Sequence, residues 1–155
     1  MKAVLVVAAL GLIASQAKAD GFVCNALDTD LTVKVYNHVN PELGTRNPAI
    51  MVVSDPSVNA GRKTIARFTD ANLTLAKRSS VFEARVDLRF NDSGRQGENI
   101  GGTKLGELKK IILNVDHVYN MPLDDGDVVE GEVTLVKRNG ELVHLDMTCQ
   151  RYLKN

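Results

Sequence analysis

Apolar and polar residues alternate with a period of two along most of the chain, and no stripe of helical spacing reaches useful length. The clearest run is Ser80 to Phe90. Phe82, Ala84, Val86, Leu88 and Phe90 fall on one side, and Val81, Glu83, Arg85, Asp87 and Arg89 on the other. Leu31, Val33 and Val35 alternate with Thr32, Lys34 and Tyr36, while Ile50 to Val53 is wholly apolar, as in a strand covered on both faces. Thr64 to Phe68, Asn72 to Ala76 and Glu107 to Val115 are further strand candidates.

The last two strands permit a register argument. Val129, Gly131, Val133 and Leu135 form one face of the first, and Val143, Leu145, Met147 and Cys149 one face of the second. Opposed residues share a face, so Leu135 is expected opposite Val143 and Val133 opposite Leu145. That leaves Arg138-Asn139-Gly140 as a three-residue loop with Gly140 in the left-handed position of a bulge, and pairs Lys137 with Glu141. A two-residue Asn-Gly turn would set the two core faces out of step.

Turn chemistry punctuates the remainder: Asn40-Pro41-Glu42-Leu43-Gly44, Asp55-Pro56-Ser57 and Asp124-Asp125-Gly126-Asp127. Asn91 to Gly102, polar and glycine-rich, reads as the longest loop. About eight short antiparallel strands in one domain either close into a barrel or split into a sandwich. The expected fold is therefore all-β: a single antiparallel barrel or barrel-like sandwich with its ends clasped by a disulfide. Charged residues alternating with the apolar set of residues 80–90 disfavour an outer-membrane barrel, whose outer face must suit lipid.

The start of the chain breaks this pattern. Lys2 is followed by an almost pure run of Ala, Val, Leu, Gly and Ile over residues 3–14, and then by Ala17-Lys18-Ala19, the small-x-small pattern of a signal-peptidase site. Residues 1–19 read as a signal peptide and residues 20–155 as one all-β domain, long enough to bury a core. Export, to the periplasm or the exterior, follows. Cys24 does not directly follow the cut, so a lipid anchor is not expected. Lys2 and Lys18 leave with the leader, turning a balance of 19 basic and 19 acidic residues into an acidic excess of two. That gives no push toward nucleic acid, and no later segment is apolar enough to span a bilayer as a helix. The two cysteines, Cys24 and Cys149, permit one pairing in an oxidising compartment.

Candidate chemistry is sparse. In the register above Glu132 opposes Asp146, with His144 their neighbour on the outer face. Two carboxylates and an imidazole can hold a divalent cation, although a solvated face with its acids offset by Lys109 or Lys110 produces the same pattern. Asp124, Asp125, Asp127 and Glu130 lack the spacing of an EF-hand loop and read as an acidic turn. No serine lies in a Gly-x-Ser-x-Gly context. The absence of tryptophan leaves few platforms for sugars or unpaired bases. Gly94, Gly97, Gly101 and Gly102 lack the context of a phosphate loop. Arg95 and Glu98, near the tip of the long loop, are the candidate partner-binding residues, since rigid scaffolds carry their contacts on loops. No cofactor is expected.

The stretches Tyr36-Asn37-His38, Gly44-Thr45-Arg46-Asn47-Pro48-Ala49-Ile50-Met51-Val52-Val53-Ser54-Asp55-Pro56 and Gly61-Arg62-Lys63-Thr64-Ile65-Ala66, together with Asp146-Met147-Thr148-Cys149, resemble small exported β-proteins, often present as several paralogues, of predatory proteobacteria. The resemblance covers most of residues 20–155 and implies no established activity, so no functional residue is carried over from it. The functional expectation is a non-catalytic binding or interaction protein, acting through its loops or a barrel interior on a protein or a small apolar ligand. The alternatives are a structural or inhibitory envelope protein, and an atypical hydrolase or cation-binding protein built on Glu132, His144 and Asp146.

Overall fold

A computed structural model describes residues 18–40, 45–46, 49–59, 62–69, 72–77, 80–89, 98–116 and 123–154. Its strands are β1 (Lys18–Ala26), β2 (Thr32–Asn40), β3 (Thr45–Arg46), β4 (Ile50–Asn59), β5 (Arg62–Thr69), β6 (Leu73–Lys77), β7 (Val81–Asp87), β8 (Asn99–Ile100), β9 (Thr103–Lys104), β10 (Leu108–Asp116), β11 (Val128–Lys137) and β12 (Leu142–Lys154). A 3₁₀ turn, Leu105–Glu107, precedes β10.

One sheet runs in the order β5-β4-β2-β1-β12-β11-β10-β7-β6, with β3 paired to β2 alongside. Every ladder on that path is antiparallel. Eight antiparallel steps separate β5 from β6, so the two edge strands point the same way. They are also consecutive in the chain, and Asn72 N–H donates to Thr69 O across the break. β5 and β6 thus behave as one strand that bends from one edge of the sheet to the other. Counted so, eight strands follow one another in chain order around a nearly closed up-and-down barrel.

The first and last strands meet inside the sheet, not at its edges. β1 lies between β2 and β12, and Cys24 is directly opposed to Cys149. The two are bonded, with Cα atoms 3.9 Å apart, and both are fully buried. The expected clasp is present, and it ties the first and last strands where they pair in the middle of the sheet. β1 begins at Lys18, so its ladder includes two residues of the expected leader: Lys18 opposes Val39, and Ala19 opposes His38 and Lys154.

Period-two alternation places the core. Phe82, Ala84 and Val86 of β7 are buried and alternate with half-buried neighbours, as the sequence predicts. Val33, Val35, Met51, Val53, Ile111, Leu113, Val133, Leu135 and Met147 join them in one cluster. β1 and β7 stand opposite each other in the eight-membered circuit. The rings of Phe22 and Phe82 nonetheless meet, with centroids 5.2 Å apart. Side chains therefore fill the barrel from wall to wall at that level, as the width of an eight-stranded barrel allows.

The β11–β12 hairpin has the predicted register: Leu135 opposes Val143, Val133 opposes Leu145 and Glu132 opposes Asp146. Gly140 takes φ +90°, Lys137 N–H donates to Glu141 O, and the Lys137 and Glu141 side chains pair at 2.8 Å.

Two expectations are corrected. Asp55-Pro56-Ser57 is not a turn but part of β4, where the ladder with β5 becomes irregular between Asp55 and Asn59. Asp55 continues the inward set of Met51 and Val53 and is buried. The second half of the supposed loop 91–102 is also not a free loop. β8 and β9 form a small hairpin with Ile100 fully buried. Gly101 N–H donates to Asp55 Oδ2 at 2.8 Å, and Leu105 N–H to Glu98 O at 2.7 Å. A methyl group on Gly101 would stand 2.7 Å from Leu145 Cδ1. The hairpin is thus seated on side chains of the barrel wall. Asp-Pro favours a turn locally, and burial of the inward face overrides that preference in β4, whereas Gly101 and Gly102, both at positive φ, do make a turn, that of the β8–β9 hairpin.

Candidate functional site

Three polar side chains converge on the outer face of β11 and β12. Thr134 directly opposes His144, and Glu132 lies two residues from Thr134 on the same face. Thr134 Oγ1 donates to Glu132 Oε1 at 2.8 Å. His144 Nδ1 lies 3.1 Å from the same oxygen and 3.3 Å from Thr134 Oγ1. With the threonine proton committed to the carboxylate, the network assigns the imidazole proton to Nδ1, which donates to both oxygens. The bond from His144, then that from Thr134, lowers the Glu132 pKa below the ordinary glutamate range, against a smaller opposing effect of burial.

This arrangement is not a nucleophile relay. A relay needs a hydroxyl on one imidazole nitrogen and a carboxylate on the other, so that the first can take the hydroxyl proton. Here the hydroxyl and the carboxylate both meet Nδ1, which already carries a proton. Asp146 completes the trio of expected metal residues only as the ladder partner of Glu132. Among the described residues, no group of three or more His, Cys, Asp or Glu side chains is arranged to hold a metal ion. The side chain of His38, and all of His117, lie outside the described residues.

Of the two loop candidates, Arg95 also lies outside the described residues, while Glu98 is half-buried at the start of the β8–β9 hairpin, its carbonyl fixed by Leu105. The acidic turn is as predicted. Asp124 N–H donates to Asp127 Oδ2, Gly126 adopts φ +91°, and Leu153 N–H donates to Asp125 Oδ1 at 2.7 Å. Two of its carboxylates thus hold backbone, and Gly126 N–H donates to Arg151 O of β12 while Arg151 N–H donates back to Asp127 O. The turn walls a shallow cleft of about 160 Å³, lined by Val23, Asp125, Gly126, Gln150, Arg151 and Tyr152.

Three functional features were not read from the sequence. Thr134 is the second partner of Glu132, and the register that opposes it to His144 pointed to it. Asp55 holds the β8–β9 hairpin, and extending the period-two set beyond Val53 would have found it. Arg151 faces inward, 4.9 Å above the Phe22 ring and ion-paired with Asp20. Parity with Cys149 signalled its direction, but nothing in the sequence signalled its partners.

The fold and these sites define a disulfide-clasped, up-and-down β-barrel whose lumen is crossed by side chains at the level of Phe22 and Phe82. Among the described residues, no helix is long and apolar enough to cross a membrane. Neither protein-family models, curated proteins nor solved structures match the chain.

Proposed function

We propose that this chain is an exported, non-catalytic interaction protein that works through its outer surface and loops. The observation that carries this reading is the contact of Phe22 with Phe82 across the barrel. An interior occupied by its own side chains leaves recognition to the outside. Of the two routes expected from the sequence, this contact supports the loops and surface over a small apolar ligand held in the lumen. The leader-like residues 1–19 and the buried Cys24–Cys149 bond support export, since such bonds persist in oxidising compartments. The sharing of one nitrogen by Thr134 and Glu132 supports a non-catalytic reading of the His144 site.

Native mass spectrometry of the purified chain, paired with cross-linked capture from an exported fraction, tests the proposal. The expected result is a mass equal to residues 20–155 with one disulfide and no retained small molecule, together with a protein captured in stoichiometric amount. A small molecule retained one to one, or a hydrolytic turnover abolished by His144→Ala, would overturn it.

A further inference from the structure

The cleft at the C-terminal end of β12 has apolar neighbours that the fold leaves uncovered. Val128 and Val23 both oppose Gln150, one on each flanking strand, so the three form a row across the outer face of β11, β12 and β1. Val128 is 63% exposed and Tyr152, two residues beyond Gln150 on that face, 42%. Large apolar side chains at such exposure, gathered around a concavity, mark a contact surface more than scattered ones do. The Gln150 side chain donates to Gly126 O at 3.4 Å and ties the floor of the cleft to the acidic turn.

Size and charge choose the occupant. At about 160 Å³ the cleft is below the roughly 300–1,000 Å³ of small-molecule pockets and suits a single side chain. On one side Asp125 lines it, with Asp124 and Asp127 exposed in the same turn and Glu130 exposed on the same strand face as Val128, while the guanidinium of Arg151, which also lines it, is ion-paired with Asp20. On the other side Lys34 lies beyond Val23. A cationic head is therefore accommodated only toward the turn, with its aliphatic stem along the valines. Long basic side chains divide themselves in this way between apolar surface and charge. The Tyr152 ring beside the cleft offers a further attraction to a cation.

We propose that this cleft, with the exposed Val128 and Tyr152 beside it, receives a lysine or arginine side chain, flanked by apolar residues, on a partner protein. The proposal rests on the reading of the chain as a surface-acting interaction protein and names the chemistry of its partner.

Residues 20–155, labelled with ¹⁵N, are titrated with three short synthetic peptides. Their cores are leucine–X–leucine, with X lysine, uncharged norleucine or glutamate. The lysine peptide is expected to shift the amides of Val23, Gly126, Val128 and Gln150. It should bind about fivefold more tightly than the norleucine peptide, the scale of one exposed ion pair, and that preference should vanish in high salt. Val128→Ser and Asp124→Asn alter exposed side chains and should each weaken the lysine peptide, while the spectrum itself reports that the fold is retained. Equal binding of the norleucine peptide, shifts that map to another face, or no binding of any peptide would each overturn the proposal. The broader reading is decided separately by the native-mass and capture experiment.

Discussion

Gly131 stands on the inner face of β11, opposed to Val115 and Met147. A methyl group there would sit 2.8 Å from Asn114 O and 2.8 Å from Cys149 Sγ. Neither backbone nor a bonded sulfur yields readily, so the missing side chain is the space the disulfide occupies. Gly131→Ala is expected to cost about 1–3 kcal/mol, the usual scale of overpacking, measured by urea unfolding; an unchanged midpoint would contradict this packing. On the opposite face, the depressed pKa of Glu132 has a defined pH consequence. The folded-state value lies below the unfolded one. The stabilisation is therefore complete above the ordinary glutamate range and is lost as pH falls through the folded value. Thr134→Val removes one donor and should move the Glu132 carboxyl titration upward in ¹³C NMR. The pairing of Glu132 with the His144 strand was legible in the alternation of β11 and β12. The role of Thr134 was less so, because a threonine on a solvent face is ordinary and its meaning appears only with the register.

The elements differ in how far their sequence declares them. The β11–β12 hairpin is legible because two strict alternations and a left-handed glycine demand the same register. β4 is not, because Asp55-Pro56 reads locally as a turn, and the reason the strand continues is the distant Gly101 amide that Asp55 receives. The β8–β9 hairpin is hidden for the converse reason: its glycines suggest freedom, while Ile100 and Thr103 are buried. Removing the shared bond tests this coupling. Asp55→Ala is expected to cost about 1–3 kcal/mol, as for a lost buried acceptor. It should also speed hydrogen exchange at the Gly101 amide without affecting amides of the β11–β12 hairpin. Unaltered exchange at Gly101 would show that the hairpin is held by something else. The tip of the preceding segment, Arg95 included, lies outside the described residues.

At the scale of the molecule, the barrel is a sequential meander whose first and last strands pair with each other. The disulfide joins residues 125 apart in sequence but directly opposed in the sheet. Closing a loop of that length removes about 5 kcal/mol of unfolded-state entropy by the chain model, and measured effects run at about 2–5 kcal/mol. Replacing both cysteines by alanine should therefore lower stability by about 2–5 kcal/mol in denaturant titration while keeping the same strand content by circular dichroism. The number of strands and the cysteine pairing were readable from alternation and count. Their arrangement was not, since period two fixes which residues face inward but not which strands are neighbours. The contact of Phe22 with Phe82 across that arrangement carries the functional reading. Its most direct test is a nuclear Overhauser experiment on protein with labelled phenylalanine. Direct ring-to-ring cross-peaks between Phe22 and Phe82, from strands on opposite sides of the barrel, are the predicted result. Their absence, with either ring instead shifted by an added apolar molecule, would mean that the lumen is open and that the functional surface lies inside.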